Sequence, residues 1–178
     1  CEKLNIDLFS IFGDSWKEKK DLWKEKIKNR LGLTVKKVFT RKTEIIKMEP
    51  NETREILNNY HIQGYSTSEV CFGLKYENEI IAVMTFSEGR YGIGKEREDG
   101  EYELVRYATK YSVPGGASKL LNHFIKEFSP TSIYSYSNNT YSRGKMYETL
   151  GFELENENKA GYWYYSPKRK RSFHRSTF

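Results

Sequence analysis

The residues best suited to chemistry lie in the segment VPGGASK, residues 113–119, directly before the amphipathic run LLNHFIKEF. The first amide groups of a helix lack internal partners and carry the positive end of its dipole, and glycines let an anion approach the backbone. A lysine in the first turn adds a full charge. The segment therefore predicts a phosphate-binding turn made of Val113, Gly115, Gly116, Ala117, Ser118 and Lys119. Alternatively, the glycines form only a tight connection and Ser118 caps the helix.

Glu103 is a candidate general base. It lies on a strand that leads to this turn, where burial would raise the pKa of its carboxyl group. The alternative is an ion pair with Arg106 or Lys110. His61, in a polar loop, is suited either to proton transfer or to a structural hydrogen bond, and His123 lies inside the helix that follows the turn.

Hydrophobic periodicity predicts the elements that position these residues. In the first half we expect a strand over 4–12, a helix over 16–32, an extended segment over 34–48, a helix over 52–60 and a hairpin over 70–86. In the second half we expect a charged loop over 87–100, a strand over 101–113, helices over 117–128 and 138–151, and strands near 132–137 and 161–167. Strict alternation would place Tyr102, Leu104 and Arg106 on one face of their strand, and Glu103, Val105 and Tyr107 on the other. The Gly92-Ile93-Gly94 step in the charged loop is a weak phosphate-loop pattern.

Charge is concentrated at the two ends. Residues 1–49 contain 13 basic and 8 acidic side chains. Residues 50–160 contain 12 basic and 16 acidic side chains, and residues 161–178 contain 5 basic and no acidic side chains. Exposed basic residues attract polyanions, and aromatic neighbours can stack on bases. The C-terminal segment therefore predicts DNA contact through Lys168, Arg169, Lys170, Arg171, His174 and Arg175. For the first segment, a solvated lysine-rich surface is an equal alternative.

Other classes of site are not indicated. Cys1 and Cys71 are far apart and have no metal-ligand spacing, so we expect neither a disulfide framework nor a metal site. No apolar run is long enough to span a membrane, so we expect a soluble, intracellular protein with no membrane partner.

The segment 70–165 resembles the core of the GNAT acyltransferase superfamily. The resemblance rests on the strand hairpin, the Gly115-x-Ala117 turn before a helix, and the Tyr-x-x-Leu-Gly-Phe pattern from Tyr147 to Phe152. It implies an α/β fold with a mixed, mostly antiparallel sheet flanked by helices, and acetyl-CoA or a related acyl-CoA on the turn. It also implies that Tyr147 is the acid for the leaving thiolate, whereas the alternative is a tyrosine that packs on the sheet. Ser112 departs from the family, which commonly has Gln or Arg at that position.

A second resemblance covers nearly the whole chain. The segments YELVRYATK, GGASKLL, SRGKMYETLGF and RSFHRSTF are similar to the downstream half of phage homing-endonuclease-like proteins, in which a nuclease related to very-short-patch repair endonucleases precedes a GNAT-like domain. More distantly, the chain resembles phage Mu-type DNA modification proteins. Residues 1–49 would form a basic strand-helix arm matching the end of the nuclease, residues 50–166 the GNAT-like domain, and residues 167–178 a basic tail. The nuclease carboxylates would lie upstream of residue 1.

Two functions therefore remain as expectations. In the first, a DNA-associated GNAT-like enzyme of a phage-infected bacterial cell transfers an acyl group to a nucleobase or another amine. In the second, the chain is a non-catalytic DNA-binding half of a homing-type endonuclease. The basic ends fit both.

Overall fold

The computed structural model describes residues 8–33, 36–88, 99–157 and 161–174, without the side chains of Arg171 and His174. The chain divides into two compact units. We call Asp21–Tyr136 the sheet unit, and Cys1–Lys20 with Ser137–Phe178 the hairpin unit. The predicted arm and tail boundaries at 49 and 167 do not coincide with this division, because residues 44–48 are a strand of the sheet and residues 171–174 a strand of the hairpin.

The sheet unit is built on one five-stranded sheet in the order β1-β2-β3-β4-β5. Its strands are β1 (Glu44–Met48), β2 (Val70–Tyr76), β3 (Glu79–Glu88), β4 (Glu101–Thr109) and β5 (Ser132–Tyr134). All pairs are antiparallel except β4 with β5, which are parallel. The fold class predicted from the sequence, a mixed and mostly antiparallel sheet flanked by helices, is confirmed.

Helices cover both faces of this sheet. Helix α4 (Gly116–Phe128) packs aromatic side chains on one face, where the ring of Phe124 stacks on Phe86 with centroids 3.7 Å apart. On the other face, Met48, Cys71 and Val83 form a buried cluster that packs against Ile56 of helix α3 (Thr53–Tyr60). The two apolar faces explain why β2 and β3 read as nearly continuous apolar runs rather than as strict alternation.

A bulge in β4 changes the faces that the sequence predicted. Leu104 pairs with Phe86 and Arg106 with Thr85, so Val105 is an extra residue on β4. Because Phe86 and Thr85 are adjacent on β3, Leu104 and Arg106 lie on opposite faces. The prediction of a common face for Tyr102, Leu104 and Arg106 is therefore wrong for Arg106, since the bulge shifts the alternation by one residue.

The first predicted helix is two shorter ones. Helix α1 (Gly13–Glu18) and helix α2 (Lys20–Arg30) are separated at Lys19, which has φ −129° and ψ 36°. Residues 8–12 do not form the expected strand, and residues 4–7 lie outside the described residues. The extended segment 34–48 contains β1 and a 3₁₀ turn at Thr40–Lys42, while a second 3₁₀ turn at Pro50–Glu52 precedes α3.

The hairpin unit contains α1, the short helix α5 (Lys145–Thr149) and an antiparallel pair, β6 (Trp163–Ser166) with β7 (Arg171–His174). Asp14 ties α1 to the hairpin, because its Oδ2 accepts a hydrogen bond from the Ser172 amide at 2.7 Å. No helix in the described part of either unit has the length and apolar character needed to cross a bilayer.

Candidate functional site

The glycine-rich turn joins the end of β4 to the start of α4. Gly115 precedes the helix with a φ of 77°, a left-handed conformation that glycine adopts without steric cost. The Gly116 amide donates to the Val113 carbonyl at 2.9 Å, which closes the turn. Val113 itself is buried. The predicted strand-turn-helix is therefore present, and β4 ends four residues earlier than expected.

Gly116 is required by packing inside the protein. A Cβ at this position would lie 2.7 Å from the hydroxyl oxygen of Tyr107 and 3.1 Å from Cγ1 of Val113. Burial raises the pKa of the Tyr107 hydroxyl, which therefore stays protonated beneath the turn. The sequence analysis missed Tyr107 as a neighbour of the turn, because without the bulge it belonged to the other face of β4.

Ala117 and Ser118 supply the helix positions that suit an anion. Both lie in the first turn of α4, where amide groups have no carbonyl partner within the helix, and both side chains are partly exposed. Ser118 does not cap α4, because Gly115 holds the cap position and no side chain bonds there. The prediction of a Ser118 cap was therefore wrong, whereas a tight connection through the glycines is not contradicted. Phosphate binding at Ala117 and Ser118 remains a prediction.

Lys119 is held by the protein itself. Its ammonium group donates to the Thr40 carbonyl at 2.9 Å, to Oγ1 of Thr43 at 3.2 Å, and to the Thr43 carbonyl. A lysine ammonium has three donors, and these three oxygens satisfy all of them. The geometry therefore gives Lys119 a structural role, joining α4 to the 3₁₀ turn, and gives no support to its predicted role as a phosphate ligand.

Pairing between the two parallel strands stops well before the end of β4. β5 pairs with residues 101–103 of β4 only, although β4 continues to Thr109. Beyond this point the Ser135 hydroxyl donates to the Leu104 carbonyl at 2.8 Å, and no described strand pairs with the outer edge of residues 105–109. The carboxyl ends of parallel strands are where ligands bind in α/β sheets, and the Gly115 turn lies at that end of β4.

Glu103, the candidate base, pairs with Ser87 across the sheet and lies on the same face as Arg106. The ion-pair partners that the sequence suggested are used elsewhere: Lys110 binds Glu79, and Arg106 donates to the carbonyls of Gly64 at 3.2 Å and Val105 at 2.8 Å. The role of Glu103 as a base therefore remains a prediction, and neither Arg106 nor Lys110 is seen in an ion pair with its carboxylate.

Thr85, opposite Arg106 on that face, is fully buried. Its hydroxyl has no hydrogen-bond partner among the described residues. A buried hydroxyl without a partner has a free-energy cost, and this one lies beside the bulge.

Tyr147, the candidate acid, lies on α5 in the hairpin unit. Its ring packs edge-on against Phe152 with centroids 5.6 Å apart, and its amide donates to the Gly144 carbonyl at 2.8 Å. The catalytic role of Tyr147 remains a prediction.

The two candidate histidines have structural partners. His123 Nε2 lies 3.3 Å from Glu127 Oε2, and its ring meets Phe72 edge-on. His61 Nδ1 accepts a hydrogen bond from the Gln63 amide at 3.2 Å. The Gly92-Ile93-Gly94 step lies outside the described residues. Among the residues that the structure places, no three His, Cys, Asp or Glu side chains are grouped as metal ligands would be.

Three of the six predicted DNA-contacting residues lie in the turn between β6 and β7. Lys168, Arg169 and Lys170 are exposed there, and the Arg169 guanidinium lies 5.4 Å from the ring centre of Phe173. Arg171 follows on β7. The side chains of Arg171 and His174, and the whole of Arg175, lie outside the described residues. The C-terminal segment is thus a hairpin turn and strand as far as residue 174, and its contact with DNA remains a prediction.

Comparison with known proteins adds similarity of fold. No protein-family model matches the chain, and no curated protein matches it. Among solved structures, the chain is similar to the aminoglycoside N-acetyltransferase AAC(6')-Iy in complex with CoA, with a TM-score of 0.48 and 13% identity over 66% of this chain and 96% of that one. It is also similar to a transcriptional regulator from Bacillus halodurans. Here the TM-score is 0.49 and the sequence identity 12%, over 67% of this chain and 99% of the regulator. A GNAT-family acetyltransferase from Streptococcus pneumoniae is similar with a TM-score of 0.47 and 13% sequence identity, over 66% of this chain and 96% of the acetyltransferase.

Proposed function

We propose that this chain is an acyl-CoA-dependent acyltransferase that holds the pyrophosphate of its donor on the first turn of α4. The observation that carries this proposal is the arrangement around Gly115. This left-handed glycine immediately precedes α4, and β5 pairs with only three residues of β4. Amides at a helix start and an open strand edge are two sets of hydrogen-bonding groups, one suited to phosphate and one to an amide-containing arm.

The residues present fit such a donor in part. Ala117 and Ser118 offer first-turn amides, and Gly115 exposes backbone next to them. Lys119 does not contribute, because its donors are satisfied by Thr40 and Thr43. Binding would therefore rest on backbone groups and the helix dipole, and we expect a weaker site than one with a free lysine.

The donor would supply an activated thioester. Glu103 would accept a proton from the attacking amine as the new C–N bond forms, and the sulfur would take up a proton as the C–S bond breaks. The products are then an amide and a free thiol, so protons and electrons balance. The acyl acceptor that we propose is a nucleobase or another amine.

Ser118 gives a sharp test of donor binding. Glutamate is favoured in the first turn of a helix, so Ser118→Glu should leave α4 stable while placing a negative charge where the pyrophosphate would bind. Ser118→Gln is the matched control with the same size and no charge. We expect calorimetric titration with acetyl-CoA to show saturable binding by the parent chain and by Ser118→Gln, and at least about tenfold weaker binding by Ser118→Glu. Equal binding by both variants, or none by the folded parent, would overturn the proposal.

A second candidate function rests on the hairpin unit. The turn at residues 167–170 presents Lys168, Arg169 and Lys170 side by side in solvent, which favours contact with DNA. In this case the chain is a DNA-binding accessory of a phage homing-type endonuclease, acting in the cytoplasm of an infected cell. Loss of affinity for duplex DNA in a Lys168→Gln/Arg169→Gln variant, with acetyl-CoA binding absent in the parent, would favour this candidate over the first.

A further inference from the structure

The hairpin unit contains a partly open cavity of about 380 Å³, at the low end of the range typical of small-ligand sites. Its walls combine three aromatic and three charged side chains: Phe12, Trp163, Tyr165, Asp14, Lys17 and Lys170. All of these residues belong to the same compact unit. Neither the glycine-rich turn nor the candidate acid and base lines this cavity.

The aromatic wall comes from one face of β6. Trp163 and Tyr165 are two residues apart on the strand and therefore point to the same side, whereas Tyr164 between them points to the other. Trp163 and Tyr165 are 55% and 57% exposed, and Phe12 beside them is 55% exposed. Large aromatic surfaces left open in a concave site favour a flat partner that stacks on them.

The charged wall is positive on balance. Asp14 is committed to the fold, because its carboxylate accepts hydrogen bonds from the amides of Ser172 at 2.7 Å and Ser15 at 2.9 Å. Lys17 and Lys170 line the same cavity and, among the described residues, neither forms an ion pair. The aromatic surface alone would suit a neutral sugar equally well. The two lysines beside it favour a partner that carries phosphate.

Lys170 also has an unusual backbone. Its φ is 51°, in the left-handed region that glycine and asparagine favour over lysine. A lysine side chain is thus kept at a position where glycine would be conformationally easier. This gives a useful variant, since Lys170→Gly removes the charge and relieves the backbone rather than straining it.

We propose that this cavity binds an unpaired nucleotide of a single-stranded polynucleotide, with its base on Trp163 and Tyr165 and a backbone phosphate near Lys17 and Lys170. A base inside a duplex cannot offer its flat face to a protein side chain, whereas a single strand can. This assignment rests on the nucleic-acid candidate of the proposed function and is independent of donor binding at Gly115. It adds to that candidate the strand state of the partner and the side chains that recognise it.

Neighbouring tyrosines on β6 provide a matched test. Tyr164 and Tyr165 have similar exposure but opposite faces, so we compare Tyr165→Leu with Tyr164→Leu, and add Trp163→Leu and Lys170→Gly. Binding is measured by fluorescence anisotropy of a labelled oligo(dT) of about a dozen nucleotides, against oligo(rU) of the same length and a duplex. Circular dichroism melts confirm that each variant is folded.

We expect Tyr165→Leu and Trp163→Leu to weaken oligo(dT) binding about tenfold or more, and Tyr164→Leu to change it less than about twofold. Lys170→Gly should melt no lower than the parent and reduce the slope of log K against log salt by about 0.7. Equal binding of oligo(rU) supports recognition of single strands of either sugar.

Three results would overturn the assignment: equal losses in Tyr164→Leu and Tyr165→Leu, an unchanged salt slope in Lys170→Gly, or duplex bound as tightly as the single strand. Duplex binding lost only in Lys168→Gln/Arg169→Gln would leave the DNA-binding candidate standing without this cavity. Acetyl-CoA titration reports separately on the transferase proposal.

Discussion

The two units use their aromatic residues in opposite ways. In the sheet unit, Phe72, Phe86 and Phe124 are almost completely buried between the sheet and α4. In the described part of the hairpin unit, Phe173 is the one buried hydrophobic side chain, while Trp163 and its three neighbouring tyrosines are half exposed. Burial fixes the backbone that carries the glycine-rich turn, whereas exposure leaves the hairpin surface available to a partner.

This difference shows where stability and recognition lie. A buried, stacked interior stabilises the sheet unit, so its site is positioned by packing. The hairpin unit buries little, and its strands depend on polar anchors such as the bond from the Ser172 amide to Asp14. We therefore expect the hairpin unit to open locally at a lower free energy than the sheet unit.

The largest expected effect separates the two units directly. Phe124→Ala removes a ring stacked on both Phe86 and Phe128, and we expect it to lower the free energy of unfolding by about 3–5 kcal/mol. Tyr164 of the hairpin is half exposed, so Tyr164→Ala should change it by only about 1 kcal/mol or less. Urea denaturation followed by far-UV circular dichroism measures both. Similar losses in the two variants would contradict the division of roles.

The next effect concerns the close approach beneath the turn. Gly116→Ala places a Cβ against the Tyr107 hydroxyl and Val113, so we expect a loss of about 1–3 kcal/mol. Tyr107→Phe removes the closest oxygen and should recover part of that loss in the double variant. A double-mutant cycle in urea gives the coupling. Additive losses would mean that Val113, and not Tyr107, sets the requirement for glycine.

The order of the sheet unit's elements was predictable because local signals agree. The turn at Glu77 and Asn78 between apolar runs predicted the β2–β3 hairpin, and the glycines at 115 and 116 predicted the start of α4. The bulge at Val105 was not predictable, since it depends on how β4 pairs with β3. That one residue moved Arg106 to the other face and brought Tyr107 beneath the turn.

The candidate site was predictable only in part. The left-handed Gly115 follows from its local sequence, but the partners of Lys119 do not. Thr40 and Thr43 are separated from Lys119 by more than seventy residues, so tertiary packing alone decides where its ammonium points. For the same reason, the cavity beside Trp163 needed the chain near Asp14 to return to the hairpin.

Lys119→Met separates a structural lysine from a ligand-binding one. We expect it to lower the free energy of unfolding by about 1–2 kcal/mol, because the carbonyls of Thr40 and Thr43 lose a charged donor. The affinity for acetyl-CoA should fall far less in Lys119→Met than in Ser118→Glu. Chemical denaturation and calorimetric titration with acetyl-CoA give the two quantities. A stable variant that no longer binds acetyl-CoA would restore Lys119 as a ligand.

The smallest effect is a pH dependence confined to the hairpin unit. A hydrogen bond from Ser172, with further bonds from backbone amides, holds the pKa of Asp14 below its ordinary value, although partial desolvation opposes them. Because the folded pKa is depressed, the stabilisation is fully present above the unfolded pKa of about 3.9 and is lost as pH falls through the folded value. We expect the protection factor of the Ser172 amide, which is the intrinsic exchange rate at each pH divided by the observed rate, to fall below about pH 4.

Native-state hydrogen exchange of Ser172 measures this effect, with Asp14→Asn as the control that should remove its pH dependence. In the sheet unit, Lys110 holds the pKa of the Glu79 carboxyl below its ordinary value, so Glu79 also loses its stabilising effect as pH falls. A curve of global stability against pH would therefore combine the effects of Asp14 and Glu79. The local readout separates them: Lys110→Gln should leave the Ser172 profile unchanged. If that variant shifts the profile, acid opening of the hairpin follows from loss of the sheet unit, and the two units are not energetically independent.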